Sequence, residues 1–188
     1  MSFSKTTLSK TTFPALFLAA VLTACGSGSD APKGPTFDTA DLDACQLFPV
    51  NEALGYAGGS VSTMSSTLED IGARNPMVCS YNAGSTSRPK ILKLEVRPAN
   101  SPRAAARQMA ASRDFLKRLA GGEIQEVPGL GDGAVWAGGD LHQLNVLRGN
   151  LMFLITAQTD NAPKSLYIAK LIAQRALSRL PEAPAKAS

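Results

Sequence analysis

Outside the cysteines, the groups able to do chemistry are one imidazole, a glycine-rich loop and a run of bases. His142 is the only histidine in 188 residues. To act as a general base it would need a nucleophile and an orienting carboxylate converging on it. The chain contains no Gly-x-Ser-x-Gly, His-Glu-x-x-His or paired-carboxylate motif that would supply them. A hydrolase reading would therefore rest on His142 alone, and a histidine in mid-strand is the plainer expectation. Gly129-Leu130-Gly131-Asp132-Gly133 has the composition of a phosphate cradle. Such a cradle aims backbone amides from a helix N-terminus, whereas these glycines lie between strands and no Lys-Ser/Thr follows. Left-handed turns, with Asp132 bonding its own backbone, explain the loop instead. Asp132 and Asp140 are too few acids for a calcium loop.

Arg103, Arg107, Arg113, Lys117 and Arg118 set five bases against one acid, Asp114, within a single helical segment. Such a face is either simply solvated or meets lipid headgroups or an anionic wall polymer. Near a charged membrane each base would add about 1 kcal/mol. Trp136, the single tryptophan, reads as a core or hairpin anchor. With Tyr81 and Tyr167 it could alternatively line a ligand cleft between sheet and helices.

The three cysteines divide by context. Residues 1–10 carry Lys5 and Lys10 and no acid, and Phe13 to Leu22 is an apolar run broken by Pro14. That run is about half the 20 or so residues needed to cross a bilayer, which suits an export signal. Leu22-Thr23-Ala24-Cys25 then resembles the bacterial lipobox, in which the cysteine is lipidated and becomes the first mature residue. Residues 1–24 are thus expected to be a lipoprotein signal and Cys25 the lipid anchor, carrying palmitate or a similar acyl group. Gly26 to Asp41 is rich in Gly, Ser, Pro and Asp, so residues 25–42 are expected to be a flexible tether. With Cys25 acylated, Cys45 and Cys79 remain as a pair in an oxidising compartment, and a disulfide is expected. Two cysteines and one histidine cannot complete a four-ligand zinc site. No metal or cofactor is expected. The formal charge is +4, and loss of Lys5 and Lys10 leaves +2, too little to suggest nucleic acid.

The elements that would position these groups follow from local signals. Pro49 to Leu54 starts a short helix with proline in its first turn, ending at Gly58-Gly59. Val61 to Ser66 and Val78 to Tyr81 are strand candidates, and the second would be stapled to the first helix through Cys45. Ile91 to Arg97 alternates Leu92, Leu94 and Val96 with Lys93, Glu95 and Arg97, giving one buried and one wet face. Ser101-Pro102 opens a helix to Ala120 that stops at Gly121-Gly122, with a stripe of Ala105, Met109, Ser112, Leu116 and Leu119. Glu123 to Val127, Val135 to Ala137, Leu141 to Leu147 and Leu151 to Thr159 complete the strands, around turns at Gly138-Gly139-Asp140 and Arg148-Gly149-Asn150. Asn161-Ala162-Pro163 opens a last helix with Leu166, Ala169, Ala173, Ala176 or Leu177, and Leu180 on its apolar face. The expectation is an α+β domain over residues 43–181. It would hold one antiparallel sheet of about six to seven strands, three helices and one disulfide, followed by a loose tail at 182–188.

The run DACQLFPVNEALGYAGG (residues 43–59), a second cysteine, and VPGLGDGAVWAGGDLHQLNVLRGNLMFLI (residues 127–155) together resemble small bacterial envelope lipoproteins of unknown function. Actinobacterial lipoproteins with a domain of unknown function share the cysteine, short helix, second cysteine, Gly-Leu-Gly-Asp turn and closing hairpin. The similarity covers most of residues 43–159, with 67–77 departing from it, and it implies no activity. The expected function is a non-enzymatic, membrane-anchored envelope lipoprotein that binds a partner protein or envelope component. The alternative is small-molecule capture in a sheet–helix cleft. Gly26 after the cysteine points to the periplasmic face of an outer membrane where the host has one, and otherwise to the outer face of the cell membrane.

Overall fold

The computed structural model describes residues 34–68, 73–85, 88–120, 124–159 and 161–181. The expected signal, Cys25, the Gly121-Gly122 stop and the tail at 182–188 lie outside the described residues. The α+β expectation is met by one antiparallel sheet, three helices of eight or more residues and one short helix.

Two helices open the chain, α1 (Ala44–Leu47) and α2 (Val50–Ala57). Asp43 caps α1 by accepting from the amides of Cys45 and Gln46, satisfying donors the helix start leaves free. Pro49 precedes the first turn of α2 as its N-cap, and Gly58 ends the helix in a left-handed conformation. Then come β1 (Val61–Ser66), β2 (Val78–Ser85) and β3 (Arg88–Pro98). Helix α3 (Pro102–Leu119) starts at the Ser101 cap, whose hydroxyl accepts from the Ala104 amide at 3.2 Å. Strands β4 (Gln125–Glu126), β5 (Gly133–Ala137), β6 (Gln143–Arg148) and β7 (Leu151–Gln158) follow, and α4 (Ala162–Ser178) closes the fold behind its Asn161 cap.

The sheet runs β1-β2-β3-β7-β6-β5-β4, so two antiparallel meanders meet where β3 pairs with β7. Its register separates two faces. Leu94, Ile155, Leu144 and Trp136 lie opposite one another across β3, β7, β6 and β5, and point toward α1, α2 and α4. Val135, Ala137, Met152 and Leu154 point the other way and pack under Met109 and Leu116 of α3. Helices α3 and α4 therefore cover opposite faces, and α3 lies over the β5–β7 half of its face.

Three local readings are corrected. Leu119 is 54% exposed, so the buried stripe of α3 ends at Leu116. On α4 the buried positions are Ser165, Ile168, Ala169, Ile172, Ala173 and Ala176, while Leu166, Leu177 and Leu180 sit at the margin. The two isoleucines fill the space over the sheet, which turns the helix from its expected face. Glu95 is buried on the face expected to be wet, where Arg97 Nε at 2.6 Å and Lys93 Nζ at 3.2 Å compensate its charge.

Part of the segment expected to be a tether is structured. Residues 34–42 belong to the fold, with Phe37 and Leu42 buried in the main core. Phe37 is the one large apolar residue of the Gly26–Asp41 stretch, and it finds a site beside the β6–β7 turn.

The disulfide joins Cys45 of α1 to Cys79 of β2. The hydroxyl of Tyr81, on the same strand, donates to the Phe48 carbonyl at 2.6 Å. At the far end of α4, Arg179 donates to the Leu47 carbonyl at 2.8 Å and chelates the Glu52 carboxylate, tying both opening helices to the last one. The Arg179 hydrogen bond holds the Glu52 carboxyl below its ordinary value of 4.5, against an opposing effect of burial. A lowered carboxyl pKa stabilises the fold above the unfolded value, and that stability is lost as pH falls through the folded value. Glu52→Gln is therefore expected to cost about 0.5–1 kcal/mol at neutral pH. It should also flatten the decline in urea midpoint below pH 4.5, and parallel acid limbs for the two proteins would refute the assignment.

Candidate functional site

The site of interest is the outer surface of α3. Serine at the cap and Pro102 in the first turn fix where the helix begins, and Ala105, Met109 and Leu116 fix which side faces the sheet. Ser112 interrupts this apolar stripe because its hydroxyl accepts from the buried Asn145 of β6 at 2.6 Å. With the inward side settled, 100° per residue places the rest.

Arg103, Arg107, Lys117 and Arg118 are all exposed, and none is within ion-pairing distance of a described acid. Asp114 lies among them as the one acid of the helix. Arg107, Ala111, Phe115 and Arg118 follow each other at i+4, i+4 and i+3, so they form one exposed line along the helix. Phe115 is 52% exposed. Beside this line a groove runs between α3 and the sheet, lined by Gln108, Ala111, Ser112 and Phe115 on one side and Arg97 and Met152 on the other.

Arg113 does not belong to this surface. It sits about a quarter-turn away from Arg103, half-buried, and pairs with Glu126 of β4 at 3.1 Å. Its Nε is buried without a partner among the described residues. The five expected surface bases are thus four, because helical phase turns the fifth onto the edge of the sheet.

The other sequence candidates disperse. His142 is not in mid-strand: it precedes β6 with φ at +45°, its ring edge-on to Trp136 at 6.4 Å between centroids. Asp132 and Asp140 stand in different loops. Asp132 accepts not from its own loop but from the Gly149 amide at 2.6 Å and Arg148 Nη1 at 2.9 Å. The left-handed turns do occur, at Gly129 and Gly131, and a Cβ on Gly131 would lie 2.3 Å from the Leu147 carbonyl oxygen. The glycine loop is therefore a clasp on the β6–β7 turn, built by close backbone approach. Among the described residues no group of three or more His, Cys, Asp or Glu is placed to hold a metal ion, and no helix is long and apolar enough to cross a membrane.

The aromatic trio also separates. Tyr81 is in the core, where burial raises its hydroxyl pKa, and Tyr167 is 63% exposed on α4. Trp136 alone borders a cleft, of about 520 Å³, with Leu119, Ala120, Ile124 and the Gly138–Leu141 turn. The cleft is open, and the polar side chains lining it, Gln125, Asp140 and the Trp136 indole, do not form a converging set of the kind that fixes a small ligand.

No sequence signal distinguished Asn150 in advance. It is buried, accepts from the Phe37 amide at 2.7 Å and donates to the carbonyls of Phe37 at 3.1 Å and Ala99 at 3.3 Å. One side chain thereby joins the start of the described chain to the segment that leads into α3. Neither a family model nor a curated protein sequence matches the chain.

Proposed function

We propose that this protein is a non-enzymatic envelope lipoprotein, acylated on Cys25, that binds an anionic envelope component through the exposed face of α3. The carrying observation is the set of four exposed bases, Arg103, Arg107, Lys117 and Arg118, none ion-paired with a described acid and set against the single acid Asp114, with the exposed Phe115 ring at the edge of the face beside Arg107 and Arg118. Long-range attraction would steer an anionic partner to this face, and it weakens as salt shortens the Debye length below about 10 Å. The lipobox-like Leu22-Thr23-Ala24-Cys25 supports acylation, and the disulfide suits an oxidising compartment outside the cytoplasm. A binding role is favoured over catalysis because the acids, the glycine loop and His142 serve separate local structures.

Two measurements test the reading. Labelled palmitate fed to producing cells is expected to mark the wild-type chain, while Cys25→Ser carries no label and appears in the soluble fraction. A photo-crosslinking residue at Ala110, exposed between the bases, is expected to capture an anionic component, and one at Tyr167 on α4 is not. Equal capture from both positions, or palmitate label surviving in Cys25→Ser, would refute the proposal.

A further inference from the structure

The geometry points to the occupant of the α3 face being the anionic phospholipid surface of the same bilayer that holds Cys25; this rests on the acylation proposed above. Three observations meet at this end of the molecule. First, the described chain begins near the segment that leads into α3. Gly34 lies so close to the β6–β7 turn that a Cβ on it would be 2.8 Å from Gly149 Cα. Three residues on, Phe37 is held by Asn150, and Asn150 also holds Ala99, two residues before the Ser101 cap. The point where a tether would leave the domain is therefore next to the first turn of α3.

Second, the chain length is suitable. Eight residues, nine Cα–Cα steps, separate Cys25 from Gly34. Fully extended they reach at most about 30 Å. Helix α3, with 18 residues, is about 27 Å long. With Cys25 acylated, this span holds the start of α3 within about the helix's own length of the bilayer. Had the link run to residue 42, as composition suggested, the effective concentration of surface would be about two- to threefold lower.

Third, the chemistry is that of a membrane interface. An interfacial helix presents bases to the headgroups and aromatic or leucine side chains to the acyl boundary. Here Arg107 and Arg118 flank Phe115 on one line, and Ala111 between them lets the backbone approach closely. Arg97, across the groove from Phe115, is half-exposed although it also neutralises Glu95. An anionic polymer would use the bases and gain little from Phe115, whereas a bilayer uses both. Weak contact suffices, because a short tether holds the local concentration of surface near the millimolar range or above.

The test uses the acylated full mature chain with Ala111→Cys, whose thiol is free once Cys25 is acylated and Cys45 and Cys79 are paired. An environment-sensitive fluorophore on it is read in vesicles of phosphatidylcholine and of phosphatidylglycerol mixed with phosphatidylcholine. The expected result is a blue shift in the anionic vesicles alone, reversed above about 0.15 M salt. Arg107→Gln with Arg118→Gln is expected to lower the docked-to-free ratio about 25-fold, about fivefold for each base. Phe115→Ser should lower it with little change in salt dependence. All three positions are exposed, and an intact circular dichroism spectrum verifies the fold of each variant. Identical emission in both vesicle types, from a chain that floats with them, overturns the docking and leaves acylation standing. Failure to float overturns both. A shift with soluble polyphosphate but not with anionic vesicles overturns the bilayer in favour of a polymer.

Discussion

Replacing Cys45 and Cys79 together by alanine is expected to cost about 3–4 kcal/mol of folding stability, with a fall in Tm of about 10 °C. The bond spans 34 residues of sequence and closes α1 onto β2, so the unfolded chain without it regains the freedom of that whole loop. A local contribution adds to the loop effect. Cys79 is fully buried, and the neighbouring Tyr81 hydroxyl, 3.2 Å from its sulfur, donates to the Phe48 carbonyl between α1 and α2. Losing the staple loosens α1, only four residues long, which is otherwise held to the domain by the buried Ala44 and Leu47 and by the bonds from the Ala44 amide to the Pro76 carbonyl and from Arg179 to the Leu47 carbonyl. Thermal unfolding of the double variant, compared with wild type under oxidising and reducing conditions, measures the effect. A wild-type Tm unmoved by full reduction would show that the loop is already restrained by its packing.

Asn150→Ala should have an effect of similar size but a different reach. It removes three hydrogen bonds from a buried site and leaves the amide and carbonyl of Phe37 and the carbonyl of Ala99 without that partner. At about 1 kcal/mol for each bond, the cost is about 3 kcal/mol. Most of it is expected locally, as release of residues 34–37, since the sheet retains its own ladder. Amide exchange at Phe37 should accelerate about 100-fold, while the amides of β3 and β7 change little. Unchanged protection at Phe37 would mean that its ring, buried among the core residues, holds the segment without Asn150. If Cys25 is acylated, release moves the tether's end from Gly34 toward Leu42. The effective concentration of membrane surface should then fall about two- to threefold. Asn150 and α3 are thus linked through the tether, and Gly149→Ala, whose Cβ would overlap the Pro35 carbonyl, should act in the same direction.

Much of the fold is written in signals that act over a few residues. The alternation of Leu92, Leu94 and Val96 with charged residues, the Ser101-Pro102 and Asn161-Ala162-Pro163 helix starts, and the Arg148-Gly149-Asn150 turn each specify their element locally, and each element forms there. The cysteine pairing was legible because assigning Cys25 to lipid left two thiols, and they are joined. Strand count and antiparallel sense followed from short connections between consecutive strands.

What composition could not reveal depended on contacts between distant parts of the chain. Phe37 and Asn150 are 113 residues apart, and Arg179 is 132 from Leu47. Nothing near Phe37 marks it as core, so a polar stretch reads as tether until its partner is known. Asp132 finds the Gly149 amide rather than its own loop because two left-handed glycines bring that loop against β6. The bases of α3 were visible as a run, but which of them face outward is a matter of phase. Once Ala105, Met109 and Leu116 are committed to the sheet, Arg113 must turn to Glu126 and the other four must face away.

The sequence by itself determined the elements, their antiparallel sense, the cysteine pair and the presence of five bases on one helix. Only the tertiary structure decided that four of those bases face away from the sheet, with Phe115 beside Arg107 and Arg118, and that the described chain begins near the segment leading into that helix. The physical reason is one of range. Periodicity, caps and turns are set by neighbours within a turn or a strand pair, whereas a surface is what remains after every long-range contact has claimed its residues.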